Sequence, residues 1–317
     1  MSPVQATCRR TIGLARNLYA TVFAVGGFLA VSAALFAFNL QAAEGGRLSL
    51  SAVWAASVAP VLPALAAFLA MDVWSDERRS GRLDLLLTVA VRERELVLGK
   101  FLGVLSLMAA SVVFFHLASL GALAFFAPTA LRGVRLVSFA PGLLALLVQG
   151  VLWCAVSLAL SAMTSHGAVA ACSALGVLVA LPRALWAAFM AWAPTGRPAF
   201  GEMPLDAHAI DISSGVISTG TVISYLVLTL VMLFICSKCV SATRLIGRGA
   251  ARLRFTTAFA VGLSLVFAVL AIFLAMRLDV KVDIPVGGTA NVRIATLTRS
   301  FRIRFGSSGV APRGKMG

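Results

Sequence analysis

Glu77, Gly81 and Asp84 are spaced i, i+4, i+7, a spacing that would place two carboxylates on one face of a helix, with Arg78, Arg79 and Arg82 beside them. A few residues on, Arg92 and Glu95 stand one helical turn apart, and Glu95 leads into Gly99-Lys100. These residues belong to a charged island, Met71–Leu102, that carries six of the chain's twelve acidic residues. Balanced charge of this kind suits a mixed-charge protein surface better than a nucleic acid or an anionic lipid, so the expected chemistry is recognition of a soluble partner.

Other reactive residues give little. His208 stands near Asp206 and Asp211, but three ligands at loop spacing do not define a metal site, and none is expected. Cys236-Ser237-Lys238-Cys239 has a redox-like spacing without the fold that gives such a pair meaning. No nucleophile, base and orienting group stand at readable spacing, so an enzyme active site is not expected. Neither is a nucleotide site: Gly99-Lys100 lacks the earlier glycine and the following hydroxyl of a phosphate cradle.

The elements that must position these residues follow from composition. Of 317 residues, 60% are apolar and 12% charged, with a mean hydropathy of +0.96, which excludes a soluble globular domain. Stretches long enough to cross a hydrocarbon core as helices recur seven times. They are Leu18–Leu40, Leu50–Met71, Phe101–Phe126, Pro141–Met163, Gly167–Trp186, Val216–Cys236 and Phe255–Met276. The expected fold class is an all-α polytopic membrane protein.

Orientation follows from Lys and Arg. With the N-terminus in the cytoplasm, Arg9, Arg10 and Arg16, the six basic residues between spans two and three, and the five after span six (Lys238 to Arg254) all lie inside, against Arg47, Arg132, Arg135, Arg183 and Arg197 outside. Eight further basic residues follow span seven, which puts them outside against the rule. A late exported segment is the preferred explanation, with short strands around 290–294 and 301–305. The net charge of +15 therefore reads as topology plus a basic tail, and nucleic acid is not an expected partner.

Within the spans, His116 and Gln149 are the candidates to line a substrate path, because polar groups in lipid are costly; interhelical hydrogen bonding is the bland alternative. Pro60 and Pro63 in span two are candidate hinges, each removing a backbone donor.

The string Glu77-Arg78-Arg79-Ser80-Gly81, then Leu83, Leu85-Leu86-Leu87-Thr88 and Val97-Leu98-Gly99-Lys100-Phe101, resembles the cytoplasmic loop of type-2 ABC transporter permeases, particularly the gliding-motility-like branch. Leu160–Thr164, Val169–Ala171 and Gly215–Ile217 agree with it, so the likeness covers roughly residues 70–245. Arg82, Asp84 and Ala90 depart from the pattern, and Arg277-Leu278-Asp279 resembles the opening of an accessory subunit.

The resemblance implies a six-helix ABC exporter-type transmembrane domain over 1–245, with a coupling loop at 72–100, and a seventh helix with a basic extracytoplasmic tail over 246–317. It implies a bacterial inner-membrane exporter subunit with Glu77, Arg78, Arg79, Gly81, Asp84, Glu95, Gly99 and Lys100 as ATPase-coupling residues, the 77–87 segment acting as one lever helix. The partners implied are a cytoplasmic ABC ATPase, which carries ATP and Mg so that this chain needs no cofactor, a second permease as homo- or heterodimer, and an extracytoplasmic accessory subunit. The alternatives are a non-transporting membrane scaffold of a surface or motility machine and an ion-driven secondary transporter, the latter expected to show carboxylates at the midplane.

Overall fold

With no water in the hydrocarbon to satisfy the backbone, apolar stretches of this length fold as helices. The computed structural model describes residues 3–16, 19–43, 50–83, 92–126, 140–184, 216–243, 262, 280–283, 291–296 and 299–304. Its helices are α1 (Pro3–Arg16), α2 (Tyr19–Ala43), α3 (Leu50–Val58), α4 (Leu62–Arg79), α5 (Glu93–Phe126), α6 (Ala140–Met163), α7 (Gly167–Leu175) and α8 (Thr219–Thr243). Five of the described helices are long and apolar enough to cross a membrane, and six if the bent pair α3 and α4 forms one span. The membrane-crossing part of the protein is an all-α polytopic bundle, as its hydropathy requires.

The core forms around α6, of which about two thirds is buried, against 11% of α2. Small residues on α6, among them Ala155, Ala159 and Ala162, let neighbours approach closely, the usual basis of helix association in lipid. Ser161 pins α6 to α4: its Oγ donates to the Met71 carbonyl at 3.0 Å and accepts from the Trp74 N–H at 3.3 Å. At Gly150 of α6 an added Cβ would collide with Met108 of α5.

Several boundaries differ from those read in the sequence. Span two is two helices bent by 40°. Pro60 lies in the break and Pro63 in the first turn of α4, where its missing N–H costs nothing. Span three starts at Glu93, not Phe101, because a helix can leave the lipid and continue in water. Span five carries a π-helical turn, Gly176–Ala180. In span six Val216–Ser218 is a strand, β1, and the helix runs on to Thr243; Lys238 near its end sits 5.3 Å from the Phe234 ring.

The tail strands β2 (Val280–Asp283), β3 (Asn291–Thr296) and β4 (Arg299–Arg304) join β1 in an antiparallel sheet of order β1-β2-β3-β4. The strands read from the alternating tail are present, and the sheet links residues on both sides of position 245. Apart from Gly262, the seventh apolar segment lies outside the described residues, as do His208 and its neighbouring aspartates.

Candidate functional site

The charged island folds into the end of α4, a turn, and the start of α5. The expectation of one lever helix through Glu77, Gly81 and Asp84 does not hold, since α4 ends at Arg79. Ser80 caps it, donating its N–H to the Asp76 carbonyl at 2.9 Å and its Oγ to the same carbonyl at 2.7 Å. Gly81 then adopts φ +70°, a left-handed conformation that ends helices and that only glycine enters without strain. Helical geometry resumes at Arg82 and Leu83; Asp84 lies outside the described residues. No atom lies within 4 Å of a Cβ at Gly81, so Gly81→Ala tests backbone strain alone. It is expected to cost about 1 kcal/mol, read as a lower thermal midpoint, with Gly81→Asn losing less.

Glu77 and Lys100 meet. Both are buried, at 6% and 3% exposure, and they form a salt bridge across 23 residues of sequence. The Lys100 ammonium also donates to the Val73 carbonyl at 2.7 Å and lies 3.7 Å from the centre of the Trp74 ring. An anion, a carbonyl and a π face thus surround a group with three donors, which offsets its desolvation. Two charges that the sequence placed on a solvated face are therefore internal, and they tie α4 to α5.

Gly99, beside Lys100, has another neighbour. A Cβ there would stand 2.6 Å from the Thr7 Cβ, and one at Gly103 would stand 2.8 Å from the Thr11 Cβ. The N-terminal helix α1 thus crosses α5 on two glycines four residues apart, with two threonines at the same spacing opposite them. Helix α1 and its seat were missed in the sequence, although the matched four-residue spacing was a usable signal.

The remaining expected residues fall into distinct places. Arg79 is exposed and 3.7 Å from Asp76, which also pairs with Arg82; Arg82 Nε donates to Ser80 Oγ at 2.8 Å. Arg78 is half-buried, and its Nε has no partner among the described residues. Glu95 stands with Glu93 in the first turn of α5, where acidic groups favour the helix dipole. Its N–H bonds the Arg92 carbonyl at 3.0 Å, and no side-chain ion pair joins the two. His116 is buried edge-on to Trp54, ring centres 4.6 Å apart, and Gln149 is buried within α6. Neither lines the cavity of about 300 Å³ beside α1 or that of about 260 Å³ between α5 and α8.

A bundle of apolar helices with a charged turn fastened between its second and third spans is the geometry on which the comparison bears. The model of the family described as ABC-2 family transporter protein matches residues 14–196, more than half of the chain. The chain belongs to the ABC-2 transporter family. No curated protein matches it. As an ABC-2 family member it is a membrane component of an ABC transporter, a family that works with an ABC ATPase. The match runs from the end of α1 past α7 and includes the whole Glu77–Lys100 region of this ABC-2 protein.

Proposed function

We propose that this chain is the permease subunit of an ATP-driven exporter, coupled through residues 72–100 to a separate cytoplasmic ATPase that binds ATP and Mg. The observation that carries this reading is the buried Glu77–Lys100 pair, which fastens both ends of the charged segment to spans two and three. A push on the intervening residues reaches both spans together, through a joint with no solvent to absorb it. On this reading the exposed Arg79 and the half-buried Arg82, with Asp84, meet the ATPase, while Glu77, Gly99 and Lys100 hold the segment in position. The bend at Pro60 gives span two a place to flex.

The positive-charge count supports an N-terminus and a 72–100 loop in the cytoplasm, with the protein in a bacterial inner membrane. A second permease, an extracytoplasmic accessory subunit and membership of the gliding-motility-like branch complete the proposal, on the strength of the sequence resemblance.

The test is co-purification with a candidate ABC ATPase subunit expressed together with this chain. Arg79→Glu with Arg82→Glu is expected to lower ATPase recovery about tenfold, the equivalent of about 1.4 kcal/mol, while the thermal midpoint of the permease stays near that of the parent. Unchanged recovery and unchanged ATP turnover in vesicles would sink the coupling reading. Binding that persists without cargo movement or permease-stimulated turnover would instead favour a scaffold.

A further inference from the structure

The cavity of about 300 Å³ lies between α1, the start of α2, the end of α4 and the start of α5. Its charged lining is more than the Glu77–Lys100 pair needs. Arg10 of α1 and Asp72 of α4 both line it, and among the described residues neither makes a salt bridge or a side-chain hydrogen bond, with Arg79 the nearby cation that attracts Asp72. Asp72 is half-buried and close against Gly167, where an added Cβ would collide with its carboxylate. An unpaired carboxylate in such a place calls for a donor of N–H bonds.

One face of α4 says where this cavity sits. Phe68, Asp72 and Asp76 follow one another at four-residue spacing, and all three line it. Phe68 is an exposed aromatic in the apolar part of α4, whereas Asp76 pairs with Arg82 at the turn beyond the helix end. The change from Phe68 to Asp76 along this face puts Asp72, by the polarity of its neighbours, at the expected edge of the lipid. On α2 the exposed Tyr19, next to the lining residue Ala20, marks the same boundary.

We propose that this cavity binds the headgroup of a membrane phospholipid bearing a primary amine, a phosphoethanolamine, with Arg10 on the phosphate and Asp72 on the ammonium. A phosphate needs the cation, and a primary ammonium supplies three N–H donors to the carboxylate; a choline headgroup supplies none. The acyl chains leave past Phe68 into the bilayer. The site stands whether or not the chain transports, because it rests on the cavity and its two unpaired charges.

The experiment is native mass spectrometry of the full chain released from bilayers containing equal amounts of phosphatidylethanolamine, phosphatidylcholine and phosphatidylglycerol with matched acyl chains. The parent is expected to retain phosphatidylethanolamine about tenfold over phosphatidylcholine, the range of one charge-assisted hydrogen bond. Asp72→Asn is expected to erase that preference, and Arg10→Gln to lower retention of both phosphatidylethanolamine and phosphatidylglycerol. Soluble glycerophosphoethanolamine at millimolar concentration is expected to displace nothing, which separates a lipid from a free phosphate ester. Equal retention of the ethanolamine and choline lipids by the parent, a preference that survives Asp72→Asn, or displacement by the soluble headgroup would each overturn the proposal. Arg10 is exposed on α1, so Arg10→Gln keeps the fold. Should Asp72→Asn fail to melt cooperatively, Arg10→Gln decides alone: reduced retention supports the site and full retention overturns it.

Discussion

Lys100→Ala is expected to produce the largest loss of stability of any single substitution at the charged end of this bundle. It leaves the Glu77 carboxylate buried at 6% exposure with its cation gone, and breaking a buried pair from one side costs about 3–5 kcal/mol. It also removes the ammonium from the Trp74 face and from the Val73 carbonyl. Glu77→Ala is the mirror case and is milder, since Lys100 keeps the ring and the carbonyl. Removing both charges together, Glu77→Gln with Lys100→Met, is expected to recover most of the stability, because two fitted neutral groups carry no uncompensated charge. Thermal denaturation of the four proteins in detergent checks this. A Lys100→Ala variant that melts with the parent would mean that the pair contributes nothing.

The same series separates stability from function. If fastening α4 to α5 is what transmits force, the double neutral variant is expected to fold, bind its ATPase and yet couple poorly. A neutral pair resists separation less than a salt bridge reinforced by a cation–π contact. Full coupling in a stable double variant would relegate the pair to packing.

Gly99→Val with Gly103→Val is the second large effect expected, and it acts on α1. Each new side chain meets backbone or a β-carbon of α1, with 2.6 Å to the Thr7 Cβ and 2.9 Å to the Val4 carbonyl at Gly99, and 2.8 Å to the Thr11 Cβ at Gly103. None of these is the far end of a flexible side chain that could swing away. Overpacking costs about 1–3 kcal/mol per site, enough to lift α1 off α5. The readout is the alkylation rate of Cys8, followed peptide by peptide, since Cys8 lies on α1 next to this seat and is half-buried. Faster modification is expected in the double variant, and Thr11→Gly is expected to restore part of the protection in Gly103→Val. An unchanged rate would show that α1 is held by something other than its glycine seat.

How much of this could be read beforehand depends on the range of the interaction. The spans were legible because crossing lipid is a local demand, met by about twenty consecutive apolar residues; Leu18–Leu40 became Tyr19–Ala43, and Pro141–Met163 became Ala140–Met163. Their watery ends were not, because Glu93, Arg94 and Glu95 look the same in a loop as in a helix that has left the membrane. The bend was legible at Pro60 because proline removes a backbone donor wherever it stands. The cost of glycine inside a helix works against a lever running through Gly81, and the left-handed turn stands there.

Glu77 and Lys100 show the limit most clearly. A charge in a polar stretch is ordinarily solvated, and nothing within one turn of Glu77 says otherwise. Its partner lies 23 residues on, and the pairing exists only once α4 and α5 stand side by side. The glycines at 99 and 103 carried a signal of their own. Its meaning needed the N-terminal helix, which is too polar for a membrane span and was therefore not sought.

The Glu77–Lys100 pair also makes the residues between them a hoop whose two feet stand together on the bundle. Lengthening a closed loop is cheap, about 0.6 kcal/mol for each doubling of length. The span of chain between the feet is therefore free to vary in length and surface from one partner to another while the footing stays the same. If this segment couples to an ATPase as proposed, a machine assembled from separate chains can in this way change the shape of its handle without rebuilding its door.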